Sequence, residues 1–161
     1  MTSAAKYGLI PIETATALSG LELLQEMIAG RLPGPPIMQT LDFNLTEIEH
    51  GRAVFEGTPS LQHYNPLGTV HGGYTATLLD SCMGCAVHST VPRGSSYTTL
   101  EFKVSLIRAI TAETGKVRAQ GRIINAGRRI ATAEGRLTDG KGRLLAHATT
   151  TCMVFELPPK P

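Results

Sequence analysis

The sequence predicts an α+β fold, an antiparallel sheet of about six strands wrapped around one central helix, with a short N-terminal helix in front. Three observations carry this. Residues 72–89, GGYTATLLDSCMGCAVHS, place apolar side chains at helical spacing, with Leu78, Cys82 and Cys85 flanked by Leu79, Met83 and Ala86. The segment is apolar on nearly every side, so it must be covered on most of them. Before it, two apolar runs meet at His50-Gly51, and after it four alternating runs follow one another. A sheet curling around the single buried helix is the economical way to cover it.

Each element has its own signal. Residues 1–17 show no sustained period and are expected to be peripheral, as is the tail at 157–161, LPPKP, whose prolines cannot continue a sheet. The span between, 18–156, has no linker, repeat or low-complexity tract and is expected to form one domain. A short helix is expected at 21–29. Ser19 caps it, Glu22 stands three residues on at capping-box spacing, and Leu21, Leu24 and Ile28 share one face. Gly30 and the prolines of 33–36 stop it. Residues 40–49 and 52–58 read as a hairpin. In the second half Leu100, Phe102, Val104 and Leu106 alternate with Thr99, Glu101, Lys103 and Ser105, which predicts a strand with the second set facing water. Further strands are expected at about 117–123, 129–138 and 143–155. Their joints, Asn125-Ala126-Gly127 and Asp139-Gly140-Lys141-Gly142, have hairpin chemistry, so the four strands read as an antiparallel meander.

Composition narrows the function classes. The chain has 161 residues, 42% hydrophobic and 17% charged. That is enough for a core without metals or disulfides, and the low charge hints that another subunit covers part of the surface. A net charge of +2, no Trp and no basic cluster argue against a nucleic-acid partner. No run is long enough to span a membrane and no signal peptide is evident, while three cysteines, an odd number, suit a reducing cytoplasm.

Between Gly57 and Pro92, Asp80 is the only Asp, Glu, Lys or Arg; at 17% charged, about six would be expected in such a stretch. A carboxylate in the middle of an apolar helix is costly unless something offsets it, either a structural hydrogen bond or chemistry. Upstream runs Asn65-Pro66-Leu67-Gly68-Thr69-Val70-His71-Gly72-Gly73. His71-Gly72-Gly73 enter the helix, where N–H groups lack a carbonyl partner and the helix end is partly positive. Glycine lets a substrate carbonyl approach that backbone, as an oxyanion hole requires. Eight residues of helix rise about 12 Å, too far for Gly72 and Asp80 of one chain to serve one carbonyl. Two antiparallel copies of the helix would pair one chain's Gly72 with the other's Asp80, which predicts a two-fold homodimer with shared sites.

The stretch HYNPLGTVHGGYTATLLDSCMGCAVHS, continued by YTTLEFKVSLIRAI and the glycine-turn strands, resembles the hotdog-fold acyl-CoA thioesterases, in particular the phenylacetic-acid-degradation branch. The likeness spans roughly 32–155. It implies a dimer or tetramer, an acyl-CoA substrate, and no metal or cofactor. It also implies roles: Gly72 as oxyanion donor, Asp80 as nucleophile or general base, and Asn65 positioning the carbonyl or the water. His71 would orient the loop, and Thr99 would supply a hydroxyl near the attacking water, although Thr98 stands one residue away. Gly73 belongs with the substrate-binding backbone, and Arg128 and Arg129 could meet coenzyme A phosphates. Each has a plainer reading: His71 as a helix cap, Asn65 as a turn residue, the glycines as close packing, the arginines as solvated. Cys82, Cys85 and His88 have a metal-like spacing, but mid-helix cysteines without a second pair read as small core hydrophobes. Two other activities fit parts of this pattern. A hotdog hydratase or dehydratase would use His71 and Asp80 as acid and base, but the Asn65 spacing and the helical Asp80 favour the thioesterase. A non-catalytic acyl-CoA sensor would need an effector module, and neither a helix-turn-helix pattern nor a basic arm is present.

Overall fold

The structure, a computed structural model, describes residues 6–157. The elements follow as α1 (Ile12–Ala17), α2 (Gly20–Ile28), α3 (Pro36–Thr40), β1 (Phe43–Glu49), β2 (Arg52–Gly57), α4 (Gly72–His88), β3 (Ser95–Leu106), β4 (Val117–Ala126), β5 (Ile130–Asp139) and β6 (Leu144–Glu156). All strand pairs are antiparallel, in the order β1-β2-β4-β5-β6-β3. The six-stranded sheet wraps α4 as the hotdog fold does.

The sheet can close on α4 because its inner face is made of small residues. Gly121 and Gly135 are cross-strand partners on β4 and β5. A Cβ at Gly121 would stand 2.1 Å from the Cys82 carbonyl oxygen, and one at Gly135 would stand 2.9 Å from Met83 Cγ. Ala119, Ala131, Ala133, Ala146 and Ala148 continue this floor, all buried. Leu78, Leu79, Cys82, Met83, Ala86 and Val87 of α4 fill it without exposure. Large side chains on the helix thus meet small ones on the sheet, which brings the backbones together at crystal-like packing density.

Five expectations are corrected. The last four strands are not a simple meander: β4, β5 and β6 are, but β3 lies beyond β6 at the sheet edge. The two turn-rich joints are hairpins, whereas residues 107–116 lack tight-turn chemistry and are long enough to cross from one sheet region to another. Residues 12–17 form α1, six residues being too few to show a period. Residues 33–36 do more than stop a helix, since Pro36 opens α3 at its first turn and delays β1 to Phe43. In α2 the capping box forms, with Ser19 N–H donating to Glu22 Oε2 at 2.8 Å and Glu22 N–H to Ser19 Oγ at 3.3 Å. Its buried face, however, is Leu23 and Leu24, and Ile28 is exposed. Residues 1–5 of the N-terminal segment and 158–161 of the tail lie outside the described residues. Leu157 still bonds through its N–H to the Gly94 carbonyl at 2.8 Å.

The fifth correction concerns β3. Thr99 pairs with Cys152 and Glu101 with Thr151, so Leu100 is an extra, bulged residue. A bulge flips the alternation. Thr99 therefore shares the inner face with Phe102, Val104 and Leu106, while Leu100 does not continue their series, contrary to the uninterrupted period read from the sequence.

Candidate active site

The approach to α4 is knitted by Asn65. Its Oδ1 accepts the N–H groups of Leu67 at 2.8 Å and Thr69 at 3.4 Å, and its Nδ2 donates to Thr69 Oγ1 at 2.9 Å. Gly68, with φ of 88°, takes the left-handed turn that the loop needs. Asn65 thus shapes its own loop and keeps one amide hydrogen beyond these bonds. Val70 N–H donates to the Ile110 carbonyl at 2.8 Å and fastens the loop beside the end of β3.

His71 is the N-cap of α4, its Nδ1 accepting the Gly73 N–H at 2.9 Å. A neutral ring accepting at Nδ1 carries its proton on Nε2. The cap occupies the Gly73 N–H, and the Gly72 N–H has no acceptor among the described residues. A cavity of about 220 Å³ opens there, lined by Asn65, Thr69, Gly72, Thr75, Leu106 and Arg108, with Ile110 behind. The structure therefore brings Asn65, His71 and Gly72 together at one end of the helix.

Asp80 is half-buried in the middle of α4. Its Oδ1 accepts a hydrogen bond from Thr99 Oγ1 at 3.0 Å. Burial pushes the Asp80 carboxyl above the usual carboxylate range, and the Thr99 hydroxyl pulls it partly back by bonding the charged form. The bulge settles which threonine meets Asp80, for Thr98 is exposed. The same inner face carries Tyr97, whose ring stacks on His88 with centroids 5.1 Å apart. Burial pushes the His88 imidazole down to about 4 and the Cys85 thiol up to about 12. Cys82 is fully buried and its Sγ donates to the Leu79 carbonyl at 3.2 Å. Among the described residues no group of three or more His, Cys, Asp or Glu is placed to hold a metal.

Arg128 and Arg129 lie in the β4–β5 turn, exposed, beside a second cavity of about 850 Å³ that also touches Thr90, Pro92, Ser95 and Phe155. This is the C-terminal end of α4, so within one chain they are not brought to Gly72. Three site-proximal residues went unremarked in the sequence: His63, Tyr97 and Arg108. Only His63 had a signal, standing two residues before Asn65 in HYN.

A helix carrying one tethered carboxylate, entered through a glycine whose N–H has no acceptor among the described residues and enclosed by a six-stranded sheet, is the architecture of a hotdog protein. A family model described as the thioesterase superfamily matches residues 67–146, which contain both Gly72 and Asp80. Of the solved structures, a phenylacetic acid degradation-related protein from Ralstonia eutropha is 30% identical, with a TM-score of 0.74 over 81% of this chain and 98% of that one. A variant of the phenylacetic acid degradation protein PaaI from Thermus thermophilus is 28% identical, with a TM-score of 0.66 over 73% and 97%. A thioesterase from Haemophilus influenzae, 20% identical with a TM-score of 0.71 over 76% and 85%, shares the fold. Among curated protein sequences none matches the chain. The chain belongs to the thioesterase superfamily. No helix among the described residues is long and apolar enough to cross a membrane.

Proposed function

We propose that the protein hydrolyses an acyl-CoA thioester to the free acid and coenzyme A in the cytoplasm. The observation that carries the reading is the Asp80–Thr99 hydrogen bond, which aims a half-buried carboxylate from mid-helix toward the sheet edge. As a general base, Asp80 takes a proton from water while the oxygen attacks the thioester carbon. As a nucleophile, its carboxylate attacks that carbon and water then cleaves the anhydride. Either route places negative charge on the carbonyl oxygen, and the Gly72 N–H at the helix start stabilises it. Collapse expels the thiolate, which takes the proton that Asp80 drew from water in the first route and a proton from solvent in the second, and leaves as coenzyme A. Asn65 holds the loop and offers its remaining amide hydrogen, Gly73 supports the backbone cradle, His71 orients it, and Arg128 and Arg129 meet phosphates of the carrier.

Gly72 and Asp80 are two turns apart on one helix, so the working site joins Gly72 of one protomer to Asp80 of the partner subunit in a homodimer, two of which can form a homotetramer. The edge position of β3 supports this. Its backbone is unpaired on one side, and Leu100, Phe102 and Leu106 are 53%, 40% and 61% exposed, apolar side chains along this edge that a second copy would cover. The reading is tested by a panel of aryl-acyl and fatty acyl-CoA substrates followed by free-thiol release, run beside an enoyl-CoA hydration assay. Thiol release from at least one substrate is expected; hydration without thiol release would replace the reading with a hydratase.

A further inference from the structure

The loop before the oxyanion glycine contains a second histidine that this chemistry does not use. His63 is 5% exposed and closes the 3-10 turn Leu61–His63. It touches the site by three routes. Its Nδ1 accepts the Ser60 N–H at 3.0 Å, taking the place that Glu or Gln holds in a capping box. Its ring lies against Tyr74, in the first turn of α4, with centroids 4.5 Å apart. Its carbonyl accepts the His71 N–H at 2.7 Å, one residue before Gly72.

Tyr74 shows why the ring matters. It is 3% exposed, and its hydroxyl is the one buried side-chain polar atom without a partner among the described residues. No hydrogen bond anchors it. Packing does, between the His63 ring and Gly57, where a Cβ would come within 2.4 Å of the hydroxyl. Burial lowers the His63 pKa while Asp42 opposes the shift, and a neutral ring is the form that can accept at Nδ1.

We infer that His63 is a positioning residue for the oxyanion donor: its Nδ1 acceptor fixes the turn at 60–63, side-chain bulk at this position seats the first turn of α4, and its carbonyl then holds His71 so that the Gly72 N–H stays aimed at the substrate carbonyl. The inference rests on the thioesterase reading. A donor misaimed by about 1 Å is a kcat defect of about 10²-fold at most, because it is felt chiefly in the transition state.

The test compares His63→Gln, which keeps a capping-box acceptor, with His63→Leu, which keeps bulk and loses it. The measurements are kcat and KM on an acyl-CoA that the wild type cleaves, oligomeric mass, and hydrogen exchange over residues 64–74. His63→Gln should stay within about threefold of wild-type kcat. His63→Leu should lose about 10- to 100-fold in kcat with KM nearly unchanged, and its exchange over 64–74 should rise. Wild-type kcat and exchange in His63→Leu overturn the inference. So does a His63→Leu chain that fails to fold and assemble, since the ring would then hold the fold and not the donor. A His63→Gln kcat as low as that of His63→Leu overturns it too. If the wild type cleaves no thioester, the functional reading fails, and the exchange comparison still decides whether His63 holds the loop.

Discussion

Along one face of α4, Leu79, Cys82 and Met83 press onto Gly121, Gly135 and the alanines of the sheet. Along another, Asp80, Gly84 and His88 recur four residues apart and look toward Thr99 and Tyr97 on the edge strand. On the first face backbone approaches backbone so closely that no side chain fits between. On the second, a Cβ at Gly84 would meet a side chain and not backbone, the Tyr97 hydroxyl at 2.7 Å and its ring carbon Cε2 at 3.1 Å. The first face carries stability, with no polar side chain asking for a partner. The second holds a carboxylate that burial disfavours, and one hydroxyl offsets only part of that. Substitutions on the two faces should therefore separate folding from turnover.

The largest effect is expected from Asp80→Asn, which keeps the shape and removes the proposed base or nucleophile. The kcat should fall by about 10²–10⁴-fold or more, measured by thiol release with oligomeric mass unchanged. Stability should not fall with it. The folded carboxyl has a pKa above its unfolded value, so the native state binds its proton more tightly, and the ionised group is a destabilising charge above that folded pKa. Wild-type stability should rise as pH falls from the folded pKa toward the unfolded one, and Asp80→Asn should flatten that part of the curve. An unfolded Asp80→Asn chain would mean that the carboxylate is structural.

The proposed sharing of the site between two protomers makes the next prediction. Inactive Asp80→Asn and inactive Asn65→Ala subunits, mixed and allowed to exchange, should recover up to about a quarter of wild-type activity, because half of random dimers carry one intact site out of two. Verified heterodimers without activity would return both groups to one chain.

On the packed face, Gly121→Ala should lose several kcal/mol, beyond the ~1–3 kcal/mol typical of overpacking, because the new methyl meets a helix carbonyl and not a flexible side chain. Thermal unfolding measures it, and activity per folded chain should survive if the two faces are separable. Thr99→Val is milder. It removes the hydrogen bond that favours the charged carboxylate, so the Asp80 pKa should rise further. The acid limb of the pH–kcat profile should move to higher pH, so the loss of kcat should be largest on the acid side and shrink as pH rises. An unmoved acid limb would place the titrating group elsewhere.

The division between faces also sets what the sequence could reveal. Helix α4 was legible because its apolar spacing and its lone Asp80 sit in a stretch with no other charge, and β1–β2, β4–β5 and β5–β6 because their joints have turn chemistry. The Gly72–Asp80 spacing was legible because helical rise is fixed. The place of β3 was not, since strand order depends on a long connection that carries no pairing signal. Nor was the bulge at Leu100: the alternation of 99–106 reads as one uninterrupted strand, and only pairing with Cys152 and Thr151 shows the extra residue. That one residue decides that Thr99, and not Thr98, meets Asp80. His63 escaped for a similar reason, because its part in the site runs through a backbone carbonyl and a ring contact that no motif spells out.

The smallest effects are expected from the cysteines, and they sharpen the comparison most finely. Cys82 belongs to the packed face, with no exposure and a bond to the Leu79 carbonyl, whereas Cys85 is only partly buried. Burial raises both thiols, Cys85 to about 12, so neither is a thiolate at neutral pH and neither is a ready metal ligand or nucleophile. Removing a buried sulfur should lose about 1 kcal/mol of packing, and Cys82→Ala should lose more than Cys85→Ala because its surroundings, pressed between helix and sheet, have less room to relax. Both variants should keep kcat within about twofold, and the wild type should keep full activity in chelator. Equal stability losses would mean that the boundary between the two faces lies beyond Cys85. Stoichiometric zinc, with activity lost on chelation and regained on adding zinc, would show that the Cys82–Cys85–His88 spacing is a site and that the second face holds more chemistry than Asp80.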